Sequence, residues 1–184
     1  FFFQAEDGIR DHCVTGVQTC ALPISAFVVR DIEAAAMEWV HRYGVGPWFI
    51  SDISLPSTMY RGERVPFAIK GGIAYSGDMQ IELIQPDPSI PSIYNEFLAA
   101  GGSGVHHVCY WCNLEAARKH FGAAGSAEVQ SGEFRNLEFL YMEGFAGFPY
   151  IEFIDPGEEQ LSRYAMISKL AATWDGAEPI RGRT

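Results

Sequence analysis

The chain is short of positive charge, of cysteine and of long apolar runs. Lys and Arg total 13 against 23 Asp and Glu, a net charge of −10 over 184 residues. A surface of that sign repels phosphate backbones and excludes nucleic acid as a natural partner. No apolar run reaches the roughly 20 residues that a membrane-spanning helix needs. Cysteines number four, and two of them, Cys13 and Cys20, precede residue 25. The other two form Cys109-Tyr110-Trp111-Cys112, with no second pair to complete a four-thiolate zinc site. In a β-like run their odd spacing sends the thiols to opposite faces. Reduced, structural cysteines in a cytoplasmic protein are therefore expected.

Residues 1–25 stand apart. Gln4-Ala5-Glu6-Asp7-Gly8-Ile9-Arg10-Asp11 and Val14-Thr15-Gly16-Val17-Gln18-Thr19-Cys20-Ala21-Leu22-Pro23-Ile24 read as the translation of a common sequencing adapter. His12 and Cys13 would fill its index, and Ser25 would straddle the junction, as in read-through from a metagenomic assembly. This segment is set aside from fold reasoning, and the true start of the protein is left open. The remainder, from Ala26 on, carries 12 basic and 20 acidic residues. It has the length of one domain and can bury a full core.

What is present is a phrase that occurs twice. Tyr75-Ser76-Gly77-Asp78-Met79-Gln80-Ile81-Glu82-Leu83-Ile84 matches Phe145-Ala146-Gly147-Phe148-Pro149-Tyr150-Ile151-Glu152-Phe153-Ile154. Each copy runs aromatic, small, Gly, three variable residues, then Ile-Glu-apolar-Ile. Internal similarity of this kind marks a duplicated unit. Both copies hold a carboxylate inside an apolar, β-prone run. A buried carboxylate is costly without a partner, a cation or a wet cavity.

The segments flanking the phrase repeat in order. Ala26 to Val29 reads as a strand. Asp31 offers an N-cap to a helix that carries Ile32, Ala35, Ala36, Trp39, Val40 and Tyr43 at helical spacing and stops at Gly44. Trp48 to Ser51 reads as a strand and Leu55 to Glu63 as a loop, because Pro56, Ser57 and Gly62 punctuate it. Val65 to Tyr75 and Met79 to Gln85 are strands around a hairpin turn. Pro86 to Pro91 is a linker, and Ser92 to Ala99 a short helix. Then Val105 to Cys112 is a strand, and Asn113 caps a helix that ends at Gly122. Ala127 to Gln130, Leu137 to Met142 and Tyr150 to Ile154 are three more strands. Leu161 to Trp174 is a C-terminal amphipathic helix, suited to cover a module or a partner subunit, before a polar tail. The expected organisation is an α+β fold of two βαβββ modules, 26–86 and 105–156, joined by a linker over 87–104. A helix and tail follow over 157–184.

Strand parity sorts the polar groups. Gln80, Glu82 and Ile84 share one face, while Ile81 and Leu83 take the other, against a helix. Tyr150, Glu152 and Ile154 repeat that pattern. His106 and His107 are strand neighbours, so parity expects them to face opposite ways and only one to enter a site. Two carboxylates and one imidazole make a mixed oxygen and nitrogen set for Zn, Ni, Co, Mn or Fe. Such an ion would stabilise an enolate formed by removing a proton next to a carbonyl, with Glu152 or Glu82 shuttling the proton. Tyr60, Tyr75, Trp111, Tyr141 and Tyr150 are candidates to line the site.

Val29-Arg30-Asp31-Ile32-Glu33-Ala34-Ala35, Ile81-Glu82-Leu83-Ile84-Gln85-Pro86 and Gly104-Val105-His106-His107-Val108 resemble the vicinal oxygen chelate superfamily. The likeness is greatest to its glyoxalase I and methylmalonyl-CoA epimerase branch. The resemblance implies a cupped, eight-stranded mixed sheet built from paired modules around a divalent metal ion. It implies metal ligands at Glu82, His107 and Glu152, with Glu82 and Glu152 also the catalytic candidates and His106 a bystander. The first-strand ligand of the first module falls at Ile24 when counted back from Asp31, and at Ser25 when counted by the chain's own repeat. Either lies in the adapter-like segment, so the chain is expected to bind metal weakly.

Three functions follow. The first is a metal-dependent isomerase or lyase of the glyoxalase or acyl-CoA epimerase type. The second is an extradiol-type dioxygenase, against which a second carboxylate ligand argues. The third is a non-catalytic, drug-sequestering protein. Arg61, Arg64, Lys70 and Arg135 form no clear phosphate-binding cluster, so a CoA ester gains no independent support. The expected partners are a small-molecule substrate and a second copy in a homodimer. Whether the cup closes within one chain or across that dimer is open at the level of sequence.

Overall fold

The computed structural model describes residues 24–102, 104–145 and 147–182. The adapter-like reading of residues 1–23 lies outside the described residues. The chain runs β1 (Ile24–Val28), α1 (Ile32–Tyr43), β2 (Trp48–Tyr60), β3 (Glu63–Ser76) and β4 (Met79–Pro86). Next comes α2 (Ile93–Ala99), then β5 (Val105–Trp111), α3 (Leu114–Ala123), β6 (Glu128–Phe134), β7 (Leu137–Glu143) and β8 (Tyr150–Ile154). It ends with α4 (Glu158–Ala172) and β9 (Ile180–Arg181).

Local chemistry sets the helix ends. The Asp31 carboxylate accepts from the Ala34 amide at 3.0 Å, and Gly44 closes α1 at φ 66°, where an L side chain is strained. The Asn113 side chain accepts from the Ala116 amide at 3.0 Å in the same way. Helix α3 overruns the expected stop at Gly122 by one residue and ends at an Ala124 cap.

The expected loop over Leu55 to Glu63 is instead the end of a long hairpin. Strand β2 pairs with β3 from Phe49 opposite Ile73 to Tyr60 opposite Glu63. Pro56 and Ser57 sit where the register slips between Leu55 and Thr58, so the proline's missing N–H interrupts no ladder bond. Arg61 (φ 47°) and Gly62 (φ 84°) make the tight turn that such a hairpin requires.

Neighbouring strands follow the order β3-β4-β1-β5-β8-β7-β6-β2, and the β2–β3 pairing closes the ring. The eight-stranded sheet is therefore completed within one chain. It is mixed: β1–β4 and β5–β8 are parallel, while β1–β5 is antiparallel. The two halves meet along β1 and β5 in a pseudo-twofold register, with Ile24 opposite Cys109 and Ala26 opposite His107. Outside the sheet, Ile81 and Leu83 pack with Ile32 and Ala36 of α1. Ile151 and Phe153 pack with Leu114 and Ala117 of α3. Each of the buried Ile, Leu and Phe side chains contributes roughly 1.5–3 kcal/mol. Cys109 and Cys112 obey parity: Cys109 joins the interior cluster and Cys112 packs in the α3 layer.

The end of the chain is more structured than its polar sequence implies. Strand β9 pairs with the start of β2, Ile180 opposite Trp48. Trp174 lies so close to Gly46 that a β-carbon there would come within 2.6 Å of the indole. Helix α4 packs on β3, and its Tyr164 stacks on Trp111 with centroids 5.8 Å apart. No described helix is long and apolar enough to cross a membrane.

Candidate metal centre

Inside the ring, parity brings the carboxylates together. Glu82 pairs with Ala26, and Glu152 with Cys109 and Tyr141, so all of these side chains share the interior face. His107 lies opposite Ala26 and joins that face. Its Nε2 is 3.3 Å from a Glu152 carboxylate oxygen and 3.8 Å from one of Glu82. The three donor atoms lie within 4.8 Å of one another. The imidazole is fully buried, whereas the Glu82 side chain keeps 20 % of its exposure and Glu152 11 %.

His107 Nε2 is buried and has no aligned hydrogen-bond partner among the described residues. Two ligands each about 2.1 Å from one ion stand at most about 4.2 Å apart. Both imidazole–carboxylate separations already meet that limit. A neutral imidazole and two carboxylates also balance one divalent charge. The residues present thus fit a divalent ion, which Glu82, His107 and Glu152 could hold.

The expectation that His106 turns away from His107 is not met. Between the pairs Ala26–His107 and Phe27–Val105, β5 carries one residue more than β1, and that residue is His106. A bulge breaks alternation. His106 is buried against Tyr94, Phe97 and Tyr150, and its Nδ1 is 2.9 Å from Nδ1 of His107. Its Nε2 faces the Ile93 carbonyl at 3.4 Å. A carbonyl only accepts, so His106 Nε2 carries the hydrogen and its Nδ1 is the acceptor. His107 Nδ1 therefore donates to His106, and its neutral form presents a bare Nε2 to the two carboxylates.

The charges add a proton to this picture: below its raised pKa the His107 imidazole also carries hydrogen on Nε2, which a divalent ion would displace. Burial, with the neighbouring His107, pushes the His106 pKa down to about 2, so it stays neutral. Burial also disfavours the His107 imidazolium, but Glu152 and Glu82 outweigh it and raise its pKa to about 9. Burial lifts the Glu82 carboxyl, and the charge of Glu152 adds to the lift despite the opposing pull of His107. Glu152 is buried too, yet His107, helped by Tyr141 and Cys109, holds it below the usual carboxylate range. Tyr141 is itself oriented by the Tyr94 hydroxyl, which donates to it at 2.9 Å.

Helix α2 supplies Ile93 and Tyr94, and Glu96 fastens it. Arg61 Nε and Nη2 donate to the Glu96 carboxylate at 2.6 and 2.8 Å, and the Tyr60 and Tyr150 hydroxyls donate at 2.5 and 3.0 Å. Arg61 is therefore committed to this clamp. Tyr60 and Tyr150 serve the clamp as well, and Tyr75 donates to Gln80 at 2.8 Å. Of the five aromatic candidates only Tyr141 is among the side chains that line the cavity, and Trp111 supports it from beneath Tyr164. The Arg61 guanidinium and the hydroxyls outweigh partial burial and lower the Glu96 pKa to about 2. Its folded pKa is depressed, so its stabilisation is present above its ordinary pKa and fades as pH falls towards 2. Glu96→Gln should flatten the acid limb of a plot of thermal midpoint against pH; an unchanged limb would remove the clamp from the description.

The cavity at the centre has a volume of about 110 Å³. Glu82, Glu152 and Tyr141 line it together with a largely apolar wall that includes Ile24, Phe67 and Phe139. Gln160, Arg163 and Tyr164 of α4 complete it. Ile24 thus reaches the interior, whereas Ser25 pairs with Ile81 and Val108 on the helix-covered face. Of the two positions, 24 is the one whose side chain faces the cavity. Helix α4 therefore does more than cover a module: it supplies part of the cavity wall.

A closed ring of repeated βαβββ order with two carboxylates and an imidazole at its seam defines a class. Residues 25–138 match the glyoxalase/bleomycin resistance protein/dioxygenase superfamily, and the chain belongs to it. No curated protein matches the sequence. Among solved structures, methylmalonyl-CoA epimerase from Mycobacterium tuberculosis is similar, with a TM-score of 0.54 at 19% identity over 81% of this chain and 95% of that one. A hypothetical protein from Bacillus halodurans gives 0.53 at 17% identity over 75% and 95% of the two chains. A mutant 4-hydroxymandelate synthase from Streptomyces coelicolor gives 0.52 at 15% identity over 74% and 49%. Identities this low establish the shared fold alone.

Proposed function

We propose that this protein is a metal-dependent isomerase or lyase that moves a proton next to a carbonyl or thioester. The observation that carries the reading is His107 Nε2, buried without an aligned partner and flanked by two carboxylates at the base of a cavity. When bound, a divalent ion would supply charge stabilisation to an enolate. Glu82, His107 and Glu152 would hold it, and His106 would fix the imidazole in the form that presents a lone pair.

The two carboxylates are not equivalent. Glu152 lies nearer to His107 and is backed by Tyr141. Glu82 is further from the imidazole and keeps more exposure to the cavity. Glu82 is the group with freedom to leave the cluster and accept the substrate proton.

Extradiol-type chemistry on iron calls for two imidazoles and one carboxylate. Here His106 uses both nitrogens on His107 and Ile93, which leaves one imidazole for two carboxylates. A sequestering protein has no need of buried carboxylates, so the isomerase or lyase reading is favoured over both.

Proton–deuterium exchange at the α-carbon of small thioesters and hemithioacetals, with Zn, Ni, Co or Mn added, tests the proposal. Exchange that requires metal is expected, falling by about 100-fold or more in Glu82→Gln at saturating metal. Exchange that persists without metal, or survives Glu82→Gln intact, would contradict it.

A further inference from the structure

Helix α4 places one basic side chain against the cavity, and one of its donors is buried with no partner among the described residues. Arg163 lines the cavity, its Nε is buried, and that atom meets no hydrogen-bond acceptor. None of the ion pairs among the described residues includes it. A buried guanidinium donor without an acceptor is costly, and a ligand that brings the acceptor removes the cost.

The balance of charge sharpens this point. If the two carboxylates and a neutral His107 are matched by a divalent ion, Arg163 is the cavity's one remaining full charge among the described residues. One negative group on the ligand completes the balance. Gln160, one turn earlier on α4, adds a side-chain amide to the same wall. The rest of the lining is mainly Ile, Leu, Phe and Tyr, which calls for an apolar body.

Size limits that body. An apolar cavity of about 150 Å³ takes up benzene, and this one is about 110 Å³. A short branched alkyl group fits with ease, and a phenyl ring stands at the upper limit. The adjoining depression shares Phe134, Leu137, Gln160 and Arg163 with the cavity and sets Glu158 and Glu159 against Arg135. It therefore offers no net positive charge to the phosphates of a nucleotide-bearing thioester.

We infer that the cavity takes a small monoanionic acid whose short apolar body fills the ring interior and whose acidic group is held by Arg163 of α4. This rests on the proposed metal reading for the chemistry at the other polar group of the cavity. Arg163 here sets specificity and takes no part in the proton transfer.

Calorimetric titration of the full chain with 3-methylbutanoate, its neutral amide and butanedioate, each with and without one equivalent of zinc, tests the inference. The acid should bind more tightly than the amide by about 10- to 100-fold, the worth of a charge-assisted pair. Butanedioate, which has no apolar body, should bind more weakly than the acid. Arg163→Gln should bring the acid to the affinity of the amide, and Arg163→Lys should keep most of the preference. Equal binding of acid and amide would overturn the inference. So would an Arg163→Gln variant, folded by circular dichroism, that binds the acid as the unaltered chain does, because the acid would then sit elsewhere. The zinc isotherm is a separate reading: its absence contradicts the metal centre, while an Arg163-dependent preference for the acid stands or falls by itself.

Discussion

Replacing Ile24 with His should tighten binding of zinc or nickel by about 10- to 100-fold, and replacing Ser25 with His should not. The two halves of the sheet interchange by the pseudo-twofold register. Ala26 pairs with Glu82 as Cys109 pairs with Glu152. Counting two residues back from Ala26 and from Cys109 gives Ile24 and His107, so Ile24 occupies in the first half the place of His107 in the second. Its side chain lines the cavity beside both carboxylates. A histidine there would add a second imidazole to the set. Ser25 faces the opposite layer, where its hydroxyl lies 3.7 Å from the Met79 sulfur. Metal titration by calorimetry reads the difference between the two variants. A gain at 25, or none at 24, would contradict the placement.

His106→Phe should weaken metal binding by about 10- to 100-fold, although His106 never touches the ion. The substitution keeps an aromatic ring beside Tyr94 and Tyr150 but removes the acceptor for His107 Nδ1. The buried donor is left unsatisfied, and His107 loses what fixes its bare Nε2 towards Glu82 and Glu152. His106→Asn, whose side-chain carbonyl can accept, should recover part of the loss. Nitrogen chemical shifts of the His107 ring in metal-free protein report its tautomer directly. They should show hydrogen on Nδ1 in the unaltered chain once His107 is neutral, and a mixture in His106→Phe. Unchanged affinity and unchanged shifts would make His106 a packing residue only.

Much of this centre was legible in the sequence, for a physical reason. Alternation along a strand is a rigid rule wherever one face packs on a helix, so Glu82 and Glu152 could be assigned to the interior from Ile81, Leu83, Ile151 and Phe153 alone. The rule fails where the ladder carries an extra residue, and nothing in Gly104-Val105-His106-His107 marks His106 as the bulge. Its interior position, and its hold on His107, needed the partner strand. The length of β2 was hidden for a related reason: Pro56 signals a loop unless a register slip absorbs it. The position 24 or 25 was undecided because counting along one chain does not fix register between two strands. The role of Arg163 was beyond reach, since only the docking of α4 buries its Nε. Glu96 had no local signal either, because its partners Tyr60, Arg61 and Tyr150 come from other elements of the fold.

The proton transfer proposed for this protein depends on one ion at the seam of the two halves. Anomalous diffraction from crystals equilibrated with zinc locates that ion without reference to any reaction. The expected result is a single strong peak about 2.0–2.2 Å from His107 Nε2 and from an oxygen of each of Glu82 and Glu152. No peak at saturating zinc, or a peak elsewhere with those three side chains undisturbed, would contradict it.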